Sequence, residues 1–169
     1  MPNIKKGLKK GQKLPLFKLP DVNGQEVSIE TWIGRPFLLY FLRGTWCPNC
    51  RKQLAQLKEK AQVFKDLDMP ILVVVGQKRE AVKDFLARNP MPFLFLIDET
   101  RDVIKAFDVY HPFGIDAYKI AHPSTFLIDQ EGRVAFAYVG RHQADRPTFE
   151  LTYTEVVNLL DDTFQDIKD

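Results

Sequence analysis

The stretch Tyr40–Leu54, YFLRGTWCPNCRKQL, holds both cysteines of a 169-residue chain, Cys47 and Cys50. Two thiols separated by two residues support thiol redox chemistry in particular. A thiolate attacks sulfur or oxygen electrophiles, and a second thiol close by can displace the product and close a disulfide. The pair follows an apolar run that ends at Leu42, which reads as a buried strand. After it, Leu54, Leu57, Ala61, Phe64 and Leu67 recur at three- and four-residue steps, the pattern of a helix with one buried face. The dithiol is therefore expected at a strand-to-helix junction, with Pro48 in the first turn, where its missing N–H costs nothing. Free N–H groups and the partial positive charge of a helix start favour thiolate over thiol. A cysteine so placed reaches a pKa of about 3.5–7.5 instead of about 8.5.

Other uses of the pair fit less well. A disulfide closing so short a loop constrains the unfolded chain very little. A zinc site needs four ligands at familiar spacings. The three histidines are His111, His122 and His142, and no two stand at the H-x₃₋₅-H spacing. Two ordinary buried cysteines would have to be neighbours by chance in a chain that otherwise avoids the residue. Neither a metal nor an organic cofactor is expected.

The elements that must position the thiols alternate in type. Asn23-Gly24 between short apolar runs marks a hairpin. The strand through Leu42 and the helix from the cysteines follow. PILVVVG is a second buried strand, KREAVKDFLARN a helix, FLFLID a third strand and TRDVIKAFDV a short helix. Residues 108–122, with Pro112 and Gly114, read as a loop. STFLID, the turn QEG and RVAFAYVG form a second hairpin, and a final helix runs from about residue 152 to 167. This order implies an α/β domain with helices on both faces of a mixed sheet.

At 45% hydrophobic and 27% charged residues, the chain has the composition of a soluble globular protein, and residues 1–169 form one domain. The net charge of +2 points to no acidic partner. Lys5, Lys6, Lys9, Lys10 and Lys13 make residues 1–13 a basic arm, expected to be solvated and frayed. No nucleic-acid or membrane partner is expected, since no apolar run approaches the roughly 20 residues of a membrane span. The basic start lacks the apolar core and cleavage site of a signal peptide, so the expected location is the reducing cytoplasm.

TWCPNC after an apolar strand, followed by HPSTFLIDQEGRV, resembles the thioredoxin fold. The N-terminal hairpin and YFLRGTWCPNCRKQL resemble the peroxiredoxin-like proteins of the AhpC/TSA (alkyl hydroperoxide reductase/thiol-specific antioxidant) superfamily, in the branch with a WCPxC motif. The likeness extends from about Leu14 to Leu160. It implies a thioredoxin-like three-layer sandwich with a central mixed β-sheet and an N-terminal β-hairpin. It also implies a thiol redox enzyme acting on a disulfide or a peroxide and served by a thioredoxin- or glutathione-type reductant, as a monomer or homodimer.

Two templates within the resemblance assign the thiols differently. The thioredoxin template makes Cys47 the exposed nucleophile, Cys50 the resolving thiol and Pro123 a cis-proline facing them. The peroxiredoxin template makes Cys50 the peroxide-attacking thiol and Cys47 the resolving one. That template expects a proline where Arg43 stands, a threonine or serine where Cys47 stands, and an arginine near Pro123. With these three absent, dithiol–disulfide exchange ranks first and peroxidase activity second; a non-catalytic interaction module is a third reading. Relatives often keep a buried carboxylate near the resolving thiol, whereas the matching positions here are Tyr40, Phe41 and Gln53. His122 is then the candidate proton carrier, and its protonated ring beside Cys47 would favour thiolate. Arg43, Thr45 and Trp46 complete the supporting set. The loop of residues 139–147, with Arg141, His142 and Arg146, reads as a charged surface loop, or more sharply as an anion or partner contact near the active face. Phe107 and residues 110–113 are candidates for an apolar wall beside it.

Overall fold

A computed structural model describes residues 6–113 and 118–168. The chain opens with a hairpin of β1 (Lys18–Pro20) and β2 (Glu26–Ser28), turning at Asn23-Gly24. Asp21 shapes that turn by accepting the N–H groups of Asn23 and Gln25. A 3-10 helix (Ile29–Trp32) leads to β3 (Phe37–Leu42), then α1 (Pro48–Glu59) and α2 (Ala61–Asp66). The rest comprises β4 (Ile71–Val75), α3 (Arg79–Arg88), β5 (Leu94–Ile97), α4 (Asp102–Ala106), β6 (Tyr110–Phe113), β7 (Tyr118–Ala121), β8 (Ser124–Ile128), β9 (Val134–Val139) and α5 (Phe149–Lys168).

The central sheet has the order β5-β4-β3-β8-β9. β3, β4 and β5 are parallel, while β8 and β9 run antiparallel to their neighbours. β3 lies in the middle and is buried on both faces, which is why FLLYFL is an unbroken apolar run. Its alternate residues serve two cores. Phe37, Leu39 and Phe41 pack with Phe107, Phe126 and the α4 residues Val103 and Ile104 on one face. Leu38, Tyr40 and Leu42 pack on the other with both cysteines, Leu54 and Leu57 of α1, Val82 of α3 and Val156 of α5. The three-layer, mixed-sheet expectation therefore holds, and the dithiol belongs to the layer under α1, α3 and α5.

Three local expectations change. The single helix expected after the cysteines breaks at Lys60 into α1 and α2. Residues 108–122 are not a plain loop, because β6 and β7 pair antiparallel through Tyr110–Ala121, His111–Ile120 and Phe113–Tyr118. Pro112 is tolerated there because a two-stranded ribbon consists of edges, where one missing N–H breaks no central ladder. The basic arm is docked along its described part. Gly11 N–H donates to Val134 O, Val134 N–H to Gln12 O, and Leu14 N–H to Gly132 O. Gly7 adopts φ +89°, and a Cβ there would lie 2.5 Å from Val139 Cγ2, so only glycine passes this close to β9. Among the described residues no helix is long and apolar enough to cross a membrane.

Candidate active site

The sequence leaves β3 at the centre of the sheet and makes one turn before α1. Cys47 is the N-cap residue, with extended φ −78° and ψ 122°, and Pro48 fills the first helical position. Cys50 stands in the same first turn. Both thiols are free and fully buried. Thr45, also buried, fixes the approach: its N–H donates to Gln77 Oε1 at 2.8 Å, and its carbonyl accepts Arg51 Nε at 2.6 Å. The indole of Trp46 folds back across Gly44, where a Cβ would lie 2.1 Å from its Nε1. The Trp46 ring is 40% exposed, with the Arg43 guanidinium 5.5 Å from its centroid.

The two sulfurs have opposite electrostatics. Cys47 is held down to about 5, chiefly because the Cys50 thiol donates a hydrogen bond to it. Burial opposes this, while the Cys50 amide and Arg43 add to it. Arg43 Nη1 lies 3.3 Å from Cys47 Sγ. Cys50 is pushed up by that same donation, by its burial and by the neighbouring Cys47 charge, and only partly drawn back by Arg146. These influences favour the thiolate on Cys47 and the thiol on Cys50, so the pair titrates as a unit with its shared proton drawn toward Cys50.

The loop between β9 and α5 closes over this pair. Gly140 N–H donates to Pro123 O at 2.8 Å, starting the turn. A Cβ on Gly140 would meet Asp145 O at 2.1 Å and Pro123 Cγ at 2.9 Å. The Asp145 carboxylate accepts the Arg141 N–H and Nε–H and the Tyr138 hydroxyl. These donors hold it down to about 2 against its burial. From the stapled loop, Gln143 Oε1 accepts Arg43 Nη1 at 3.1 Å, and Arg146 Nη2 reaches Cys50 Sγ at 3.1 Å.

Several site expectations are corrected by this geometry. Cys47 is not an exposed nucleophile, since Arg43 and the stapled loop enclose the thiols. The His122–Pro123 bond is trans, because the described residues contain no cis peptide. Trans is the lower-energy isomer by about 0.5–1 kcal/mol. The His122 N–H, bound to Val109 O, and the Pro123 carbonyl, bound to Gly140, hold the segment in that form. Pro123 is buried and packs against the root of the loop.

His122 does not carry a proton beside Cys47. Its Nδ1–H bonds Gly140 O at 3.1 Å and its ring stacks on His111 at 4.4 Å. Burial, followed by the nearby His111 and Lys6, pushes it down to about 4, so it is neutral. Phe107 is no wall of the site, being fully buried in the opposite core against Phe41 and Phe126. An arginine near the later strands is present after all, supplied by Arg146 rather than by the Pro123 segment. The signal for it was the glycine at the end of the last strand, followed by a short arginine-bearing loop. Among the described residues no group of three or more His, Cys, Asp or Glu converges to hold a metal.

Comparison with known proteins matches this geometry to a family. The AhpC/TSA family profile matches residues 10–137, ending just before the loop that carries Arg146. Peroxiredoxin Bcp of Bacillus subtilis (strain 168) is 32% identical over 73% of this chain and 80% of its own length. The thiol-disulfide oxidoreductase ResA of the same organism is 31% identical over 80% of this chain and 70% of its own length. A putative thiol:disulfide interchange protein DsbE from Chlorobium tepidum superposes with a TM-score of 0.72 at 27% identity, covering 90% of this chain and 99% of the other. The peroxiredoxin-like protein from Aquifex aeolicus shares the fold with a TM-score of 0.78 at 19% identity, covering 90% of this chain and 88% of the other. A matched profile across most of the chain, relatives above 30% identity and a dithiol at the family's strand-to-helix junction lead to one conclusion: the chain belongs to the AhpC/TSA family and is a peroxiredoxin-like oxidoreductase.

Proposed function

We propose that the protein is a cytoplasmic thiol–disulfide oxidoreductase with Cys47 as nucleophile and Cys50 as resolving thiol. The observation that carries this reading is the asymmetry of the pair. Cys47 is stabilised as thiolate by the Cys50 thiol and by Arg43, while Cys50 holds the proton. The Cys47 thiolate attacks a substrate disulfide, forms a mixed disulfide and releases one substrate thiolate. Cys50 then loses its proton, its sulfur bonds Cys47 Sγ, and the second substrate sulfur departs. The substrate gains two electrons and the protein is left with a Cys47–Cys50 disulfide. A thioredoxin- or glutathione-type thiol returns it to the dithiol. Closure of the loop over both sulfurs means that substrate reaches Cys47 when the loop is displaced.

The second reading is peroxidase chemistry, in which Cys50 is oxidised by peroxide to sulfenic acid and Cys47 condenses with it. The resemblance to peroxiredoxin Bcp and the arginine at Cys50 favour it. The proton on Cys50 in the resting pair speaks against it. Stopped-flow traces of Trp46 fluorescence separate the two. Rapid reaction with a disulfide that requires Cys47, beside a slow response to hydrogen peroxide, supports exchange. A fast peroxide phase lost in Cys50→Ser and kept in Cys47→Ser overturns it.

A further inference from the structure

We propose that Arg146 is the catalytic cation of the resolving step, the group that lets Cys50 ionise once Cys47 is bound to substrate. The step it serves is named on the exchange reading above, but the contact itself depends on neither reading. The guanidinium is held at three points: Nη2 on Cys50 Sγ at 3.1 Å, Nη1 on Gln53 Oε1 at 2.5 Å and Nε on Gln143 O at 2.8 Å. Gln53 stands one helical step after Cys50, where relatives often keep a carboxylate. Here its amide oxygen anchors a cation and takes no proton. A planar fork fixed by two neighbours is aimed at one sulfur, as a charge-assisted contact requires.

The chemistry demands such a group. In the resting pair the Cys50 proton serves the Cys47 thiolate. When Cys47 Sγ is bonded to a substrate sulfur it carries no charge, and the reason for holding that proton ends. Cys50 must then attack as thiolate from a buried position, which disfavours charge. Among the described residues the groups facing it are few. Tyr40 on β3 is neutral, its ionisation suppressed by burial. Arg43 is directed at Cys47 and Gln143. Arg51 is turned to the Thr45 carbonyl. Asp145, adjacent to Arg146 in the chain, is engaged by Arg141 and Tyr138. Arg146 is thus the cation in contact with the sulfur that must ionise. Cys50 gives its proton to water, its thiolate forms the Cys50–Cys47 bond as the Cys47–substrate bond breaks, and the substrate sulfur leaves as a thiolate that takes up a proton from water. Arg43 serves the first step and Arg146 the second.

Two measurements on the full chain test this. In a Cys47→Ser background, the ultraviolet absorbance of the Cys50 thiolate is followed against pH with Arg146, Arg146→Lys and Arg146→Gln. Arg146→Gln is expected to raise the Cys50 midpoint by about one unit or more, a tenfold loss of thiolate below it, with Lys restoring part. In the dithiol protein, 5,5′-dithiobis(2-nitrobenzoic acid) releases one thionitrobenzoate on attack by Cys47 and a second on resolution. Arg146→Gln is expected to slow the second release about tenfold relative to the first and to move the pH profile of the second release upward. An unmoved Cys50 midpoint across the three variants, with unfolding midpoints confirming that they fold, overturns the proposal. If instead the unsubstituted protein releases no thionitrobenzoate through Cys47, the exchange reading fails, and the Cys50 titration still decides on Arg146.

Discussion

The strand-to-helix junction of residues 43–51 and the loop of residues 140–146 touch the same two sulfurs, yet they are built in opposite ways. The junction is local. An apolar strand ends, Pro48 starts a helix, and the N-cap position and first turn hold the thiols. The loop reaches the site from far along the chain, with 96 positions separating Arg146 from Cys50. It is placed by the β8–β9 register, by the turn at Gly140 and by the Asp145 staple. Reactivity at this site therefore has two layers. A local layer makes Cys47 a thiolate. A tertiary layer shields the pair and supplies Cys50 with its cation.

The largest effect should come from the local layer. Cys47→Ser is expected to bring disulfide reduction to background, whereas Cys50→Ser should keep the attack and stall as a stable mixed disulfide, read by intact mass. Equal loss of the attack in both variants would erase the distinction between nucleophile and resolving thiol.

Next comes Arg43→Gln. With Cys47 at about 5, alkylation of the unsubstituted protein should be flat near neutral pH and fall only as pH approaches 5. Removing Arg43 should move that fall upward, and an unmoved profile would leave the Cys50 thiol as sufficient cause. The same ionisation is linked to stability. The folded-state value lies below the unfolded value of about 8.5, so the stabilising contribution is complete above about pH 8.5 and is lost as pH falls toward 5. His122, held at about 4, adds a further loss as pH falls below its ordinary value of about 6.5. Thermal unfolding of reduced protein should therefore lose its slope between about pH 6.5 and 8.5 in Cys47→Ser and keep the lower limb.

Two glycines give the smallest and most discriminating pair. Gly140→Ala forces a Cβ onto backbone at Asp145, which cannot swing aside. A cost of about 1–3 kcal/mol and faster alkylation of both thiols are expected as the loop loosens. Gly44→Ala puts a Cβ 2.1 Å from the Trp46 indole Nε1, so the partly exposed ring must turn away. A cost of about 1–3 kcal/mol and a shifted Trp46 emission are expected, with the loop over the thiols left in place. A Gly140→Ala protein with unchanged alkylation rates would deny the loop its shielding role.

The same division explains what was legible in the sequence. Leu54, Leu57 and Phe64 mark the helix after the dithiol by spacing alone, and FLLYFL marks a doubly buried strand, because these are short-range patterns. Asn23-Gly24 marks the first hairpin for the same reason. The β6–β7 pairing was hidden by Pro112 and Gly114, which punctuate a ribbon and a loop alike. The arm at Lys6–Lys13 reads as solvated because its lysines are conspicuous. Its attachment is made by backbone groups of Gly11, Gln12 and Leu14, which leave no side-chain signature. His122 reads as a proton carrier from its place beside Pro123, but its direction is set by Gly140 O and His111, both distant in sequence. Arg146 was visible as a charged loop residue and acquires its meaning only when the last strand is laid beside β8.

Both proposed steps depend on Cys47 resting as the thiolate and Cys50 as the thiol. The most direct test is brief alkylation of the reduced protein with limiting iodoacetamide at neutral pH, followed by peptide mass spectrometry to locate the label. The label is expected on Cys47, with Cys50 modified only after Cys47 is blocked. Label appearing first on Cys50 would contradict it and reverse the roles of the two thiols.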